Sequence, residues 1–220
     1  MRGSRYAPCP ATALRGVARN RRGAGTHGAV PDRATRDLFD PIRTPRLDLV
    51  LLRREWLEAY ADGRPVHDLG FNDPDDVLSA NRGVVAMRVQ QLAHDPGQEP
   101  WLLRMLVLRA DTAVGRLAIG YANFHAPPDE RGMVEIGYQV AAHRRGRGYA
   151  TEAAEGMWEW AVRHGARLLR ASIRPDNAPS VALVTRAGFR QVGQQQDDDA
   201  GLELIWERPV TPATPGGRGG

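Results

Sequence analysis

The chain has 220 residues, 42% of them hydrophobic, with a formal net charge of +4. That length and composition suit one domain with a buried core and an added extension. The single cysteine, Cys9, excludes a disulfide framework or a cysteine-rich metal site, and no apolar run approaches the roughly 20 residues of a membrane span.

All 30 basic side chains are arginine, so no lysine is available as nucleophile or base. Much of the positive excess lies in the first 36 residues, where Arg2, Arg5, Arg15, Arg19, Arg21, Arg22, Arg33 and Arg36 face only Asp32. The remainder is slightly acidic, so nucleic-acid binding by the folded part is not expected. Residues 1–40 are rich in Gly, Ala, Arg and Pro, lack hydrophobic period, and read as a disordered basic extension. Their charge is not followed by the apolar stretch of a secretory signal, and a cytoplasmic location is expected.

Residues 41–209 form the globular part. In chain order, 46–52 reads as a strand and 54–61 and 76–94 as helices. Strands at 101–109 and 113–124 follow, joined at Ala110-Asp111-Thr112 as a hairpin. After a Pro/Asp/Gly loop comes a strand at 133–140, then a helix at 149–164. Its Ala153, Met157, Trp160, Ala161 and His164 fall at helical spacing, and Gly165 is placed to end it. A strand at 168–174, a short helix at 177–186 and strands at 189–192 and 202–208 complete the domain, and residues 210–220 read as a disordered tail. The fold class is mixed α/β, with one β-α-β crossover that makes strands 133–140 and 168–174 parallel neighbours.

Chemistry concentrates in Arg145-Gly146-Arg147-Gly148-Tyr149-Ala150-Thr151-Glu152, between that strand and the following helix. Strand, glycine-rich basic turn and helix start make a layout that holds a phosphate. The first N–H groups of a helix have no partners within it, and the dipole is positive at that end. A dinucleotide fingerprint is opposed by Thr151, which stands where its third glycine belongs, and by the lack of an acidic residue at the right distance. A nucleotide-hydrolase loop needs a lysine. The spacing that fits is Q/R-x-x-G-x-G/A, read as Arg145-x-x-Gly148-x-Ala150.

This motif resembles the coenzyme A pyrophosphate loop of the GNAT superfamily of acyltransferases. Thr44-Pro45-Arg46-Leu47 and Gly132-x-Val134-Glu135-Ile136-Gly137-Tyr138 resemble the branch that includes the ribosomal-protein N-terminal acetyltransferases. So do Asn177-Ala178-Pro179-Ser180 and Ala187-Gly188-Phe189, in the same order along the chain. The resemblance implies a GNAT fold whose parallel strands splay apart around an acyl-pantetheine arm. It implies acetyl-CoA as cosubstrate, no metal, a primary amine as acceptor with a peptide N-terminal α-amine as the first expectation, direct attack without a covalent enzyme intermediate, and a homodimer as an open expectation.

By the same resemblance, the loop amides of Arg145, Gly146, Arg147, Gly148, Tyr149 and Ala150, with Thr151, take the pyrophosphate. The alternative is a basic turn that caps a helix. Tyr138, Gln139 and Val140 offer backbone groups to the pantetheine amides. Glu135 is the candidate base, or else a carboxylate that orders substrate or pairs with an arginine. His125 is a weaker candidate, and His143 and His164 read as structural or solvated. The family's tyrosine acid is missing, because Val184 stands in its place. Ser180 is the nearest replacement, or a helix-packing residue, and Asn177 is read as a helix cap that also touches the pantetheine arm. Trp56, Tyr60, Phe71 and Asn72 are candidate acceptor contacts or core residues, and Asp197-Asp198-Asp199 reads as an acidic loop facing a cationic amine or solvent. The rival functions are a small-molecule amine acetyltransferase and a non-catalytic acyl-CoA-binding module.

Overall fold

The structure, a computed structural model, describes residues 37–64, 66–109, 115–198 and 201–210. Cys9, the 110–112 hairpin, Asp199 and most of both terminal arms lie outside these residues. The strands are β1 (Ile42–Arg43), β2 (Leu47–Leu51), β3 (Arg104–Leu108), β4 (Ala118–Phe124), β5 (Met133–Val140), β6 (Leu168–Ile173), β7 (Arg190–Asp197) and β8 (Gly201–Pro209). The helices are α1 (Arg54–Ala61), α2 (Val77–Ala80), α3 (Arg82–His94), α4 (Tyr149–Arg163) and α5 (Ala178–Arg186). One mixed sheet runs β1-β2-β3-β4-β5-β6-β8-β7. Its neighbours are antiparallel except β5 and β6, the expected parallel pair.

Apolar alternation along the strands gives the sheet two filled faces. On one face, Leu47, Leu49, Leu106, Ile119, Phe124, Val134, Ile136, Leu169 and Ala171 pack with Ala153, Met157, Trp158 and Trp160 of α4. On the other, Met105, Val107, Ala118 and Tyr121 pack with Leu57 of α1, Val77 and Leu78 of α2, and Val84, Val85 and Leu92 of α3. Helices α1 to α3 therefore cover the β2–β4 half of the second face. Among the described residues no helix covers that face beyond β5.

The structure also revises several boundaries. The expected helix over 76–94 breaks at Asn81, whose side-chain amide donates to the Val77 carbonyl at 2.6 Å, a local bond that competes with continued helix. A 3-10 turn, Pro96–Trp101, replaces the start of the strand expected at 101. β7 runs on to Asp197, which is buried, so this residue ends a strand instead of sitting in an acidic loop. Residues 37–40, read as part of the N-terminal arm, are tied down by a buried arginine. Arg104 donates to the carbonyls of Leu38 and Asp40 at 3.0 and 3.1 Å and to that of Pro100 at 3.0 Å. Its guanidinium lies 4.9 Å from the Trp160 ring centroid. Burial pulls its pKa down to about 9, which leaves it charged at neutral pH.

Candidate active site

The parallel pairing of β5 and β6 covers only Met133↔Leu168, Val134↔Leu169 and Glu135↔Arg170. Beyond that point β5 continues to Val140 still paired to β4, while β6 follows β8. The two strands therefore fork. Their N-terminal ends are held together by the Gly132 carbonyl, which accepts from Arg167 N at 2.8 Å and Leu168 N at 3.1 Å.

Glu135 sits at the fork. Its Oε1 accepts the Ser172 N–H at 3.0 Å, taking the β6 donor that a continued ladder would have given to β5. Its Oε2 lies 3.9 Å from His125 Nδ1, with the Glu135 side chain 14% exposed. The backbone of His125 is fixed from α3, because Arg88 and Gln91 both donate to its carbonyl, at 3.2 and 2.9 Å. Arg88, buried, also donates to Asn123 Oδ1 at 3.0 and 2.6 Å. Burial pulls the His125 pKa down, Glu135 pulls it up and Arg88 pushes it down again, and the net shift is downward.

Backbone groups alternate edges along a strand. The Glu135 carbonyl turns to β4, where it accepts His125 N at 2.9 Å, so by alternation Gln139 also turns to β4. In agreement, a Cβ on Gly120 would meet the Gln139 carbonyl at 2.1 Å. Of the three residues expected to line the gap with backbone groups, Tyr138 and Val140 face it and Gln139 does not. Gln139 lines a cleft of about 260 Å³ with Asp75, Asn81, Gly120, His143 and Arg145.

Across the fork, Tyr138 Oη and Ser180 Oγ are 3.1 Å apart, joining β5 to the first turn of α5. Burial pushes the Tyr138 phenol up, the Ser180 bond opposes this, and the net shift is upward, so Tyr138 is a phenol able to donate. Asn177 caps α5 as expected, accepting Ser180 N at 3.3 Å. Val184, where the resemblance calls for a tyrosine, is 2% exposed and packs in the core.

The glycine-rich turn lies at the open end of the gap. Arg145 Nε donates back to the Val140 carbonyl at 2.9 Å, tying the turn to the end of β5. Gly146 and Gly148 have φ of +74° and +79°, a region L side chains rarely adopt. Gly148 is the N-cap of α4 and has no side chain to cap it, and Thr151 lies inside the helix, at its third residue. None of the backbone N–H groups from Gly146 to Thr151 has an acceptor among the described residues. A run of free donors at a helix N-terminus, beside a gap between diverging strands, fits a diphosphate joined to an extended amide chain.

The remaining candidates fall outside this geometry. His143 Nε2 pairs with Asp75 at 3.5 Å and His164 Nε2 with Asp37 at 3.4 Å. Trp56, Tyr60 and Phe71 pack against the core beneath α1 to α3, and Asn72 forms a bridge with Leu117. A carboxylate the sequence did not single out, Glu203 on β8, shares the uncovered face. Burial pushes its pKa up, a 3.0 Å bond from Gln195 lowers it, the charges of Asp197 and Glu135 raise it and that of Arg174 lowers it, for a net rise. Among the described residues no group of three or more His, Cys, Asp or Glu is arranged to hold a metal ion.

The fold is thus a mixed sheet whose one parallel pair forks beside a glycine-rich turn at a helix N-terminus. A family model for the acetyltransferase (GNAT) domain matches residues 46–190, and the chain belongs to that family. Two curated relatives are the uncharacterized N-acetyltransferases p20 of Bacillus licheniformis, 29% identical over 80 residues, and YjdG of Bacillus subtilis, 35% identical over 72 residues. These alignments cover 36% and 32% of the chain and 45% and 43% of the relatives, so less than half of each relative is spanned. Among solved structures, the RimL ribosomal L7/L12 alpha-N-protein acetyltransferase in complex with coenzyme A shares the fold. Its TM-score is 0.54 at 16% identity, covering 78% of this chain and 98% of that one.

Proposed function

We propose that the chain transfers an acetyl group from acetyl-CoA to a primary amine by direct attack in a ternary complex. The observation that carries this reading is the run of unpartnered N–H groups from Gly146 to Thr151 at the mouth of a forked parallel pair whose branch point holds a carboxylate. The loop holds the pyrophosphate, the backbone of Tyr138 and Val140 pairs with the pantetheine amides, and the bound thioester supplies the activated acyl group. Glu135, directly or through a water, takes the proton that the amine must lose to become a nucleophile. The Ser180 hydroxyl donates a hydrogen bond to the departing sulfur. Tyr138, kept protonated by burial, donates to Ser180 Oγ and leaves that hydroxyl's own proton free to turn into the gap.

The acceptor is a protein N-terminal α-amine. The likeness to an alpha-N-protein acetyltransferase supports this, as do the interacting carboxylates of Glu135 and Glu203 on β5 and β8, acidic groups suited to an ammonium. The test measures CoA release from acetyl-CoA over peptides with free N-termini and over amino acids and amine antibiotics. Turnover on peptides supports the reading, and turnover only on small amines moves the acceptor to that class. Tight CoA binding with no turnover on any amine makes the chain a binding module.

A further inference from the structure

The Thr44-Pro45-Arg46-Leu47 run enters the site from the far end of the sequence. Arg46 reaches the loop–helix junction at several points. Its Nε donates to Glu152 Oε2 at 2.6 Å and its backbone N to Glu152 Oε1 at 2.7 Å. Its Nη1 donates to the Arg147 carbonyl at 2.9 Å, and its guanidinium carbon lies 4.6 Å from the Tyr149 ring centroid. Its Nη2 stands 3.4 Å from where a Cβ on Gly148 would be. Thr44 adds a hydroxyl bond to Glu152 Oε1 at 2.6 Å.

Two features of the junction would otherwise work against an anion. Glu152 is in the first turn of α4, where an uncompensated carboxylate repels a second negative charge at the same helix end. The Arg147 carbonyl belongs to the very loop whose N–H groups must point outward, and a peptide turned the other way would present oxygen to a phosphate. We propose that Arg46 is a positioning residue for diphosphate recognition: it cancels the Glu152 charge and pins the Arg147 peptide so that the Gly146–Thr151 amides face the ligand. This rests on the CoA reading above.

The experiment measures CoA affinity by calorimetry and pantetheine binding by ligand-observed NMR, with thermal melts alongside. Arg46→Ala is expected to raise the CoA Kd by roughly tenfold or more, the scale of one lost charge-assisted pair, with pantetheine binding unchanged because it lacks the diphosphate. Arg46→Ala/Glu152→Gln is expected to recover part of that loss, since the stranded charge is gone. Arg46→Lys, which keeps the charge but not the fork, is expected to fall between wild type and Arg46→Ala. A folded Arg46→Ala with wild-type CoA affinity overturns the proposal, as does equal weakening of CoA and pantetheine. Should Arg46→Ala fail to fold, Arg46→Lys decides, and wild-type affinity there overturns it. A wild-type protein that does not bind CoA is a different result, which removes the CoA reading itself.

Discussion

Replacing Glu135 by glutamine separates the two roles of that side chain. The amide oxygen of glutamine has the reach of Oε1 and accepts the Ser172 N–H now bonded at 3.0 Å. What the fold loses is the difference between a charge-assisted and a neutral hydrogen bond, about 1 kcal/mol, or roughly 2–4 °C in melting temperature for a domain of this size. What catalysis loses is a general base, typically about 10²- to 10⁴-fold, equivalent to roughly 3–5 kcal/mol of barrier. Turnover should therefore fall by two orders of magnitude or more while acetyl-CoA affinity holds. Glu135→Ala is the contrasting control: it strands the Ser172 N–H and should cost about 1–3 kcal/mol of stability. CoA release on the best acceptor peptide, calorimetry with acetyl-CoA and a thermal melt read all three quantities. A Glu135→Gln protein with wild-type turnover refutes the assignment of this carboxylate as base.

Gly148→Glu combines a left-handed backbone position, φ +79°, with a carboxylate beside the loop amides, and calorimetry should show CoA affinity down by tenfold or more on the order-of-magnitude scale of a like-charge contact. Ser180→Ala should lower kcat with little change in acetyl-CoA affinity. Tyr138→Phe should lower it less, and the double variant should cost no more than Ser180→Ala alone if Tyr138 acts through Ser180. Val184→Tyr, which places a phenol where the resemblance calls for one, should destabilise the fold by about 1–3 kcal/mol through overpacking of a core position, read as a lower urea midpoint, instead of raising activity. Because His125 titrates below its ordinary 6.5 in the fold, the unfolded chain binds its proton first as pH falls. Stability from this group is then full above about pH 6.5 and declines through the folded value. Urea midpoints at pH 7.5 and 5.5 should differ, and His125→Gln should narrow the difference.

The strand, turn and helix around Gly148 were legible because their signals are local: alternation in β5, paired glycines, an alanine-rich start to α4. The same holds for the Asn177 cap. The parallel neighbour pair followed from the β-α-β order alone, although the point where it forks did not, since that depends on a side chain taking the place of a backbone acceptor. Arg46 and Glu152 are 106 residues apart, and nothing near either residue announces the other. Arg88 left a faint trace, standing between Val84 and Leu92 on the buried stripe of α3, where a charge demands a partner. Arg104 left the same kind of trace, a charge within the apolar run 102–108, but the Asp40 and Leu38 carbonyls it serves lie 64 and 66 residues away in sequence. Asp197 was misread because acidic runs usually mark loops, and here the hairpin of β7 and β8 is longer than its apolar pattern.

The early end of the β5–β6 ladder gives this protein an interior strand edge, open within the sheet and not at its border. Beyond Glu135 the gap-facing amide of Tyr138 has no ladder partner on β6. Its hydrogen should exchange with solvent faster than that of Gln139, whose backbone is engaged with β4, until an extended amide ligand closes the seam. The isotope label at one backbone nitrogen would then report occupancy of the cleft without any turnover being measured.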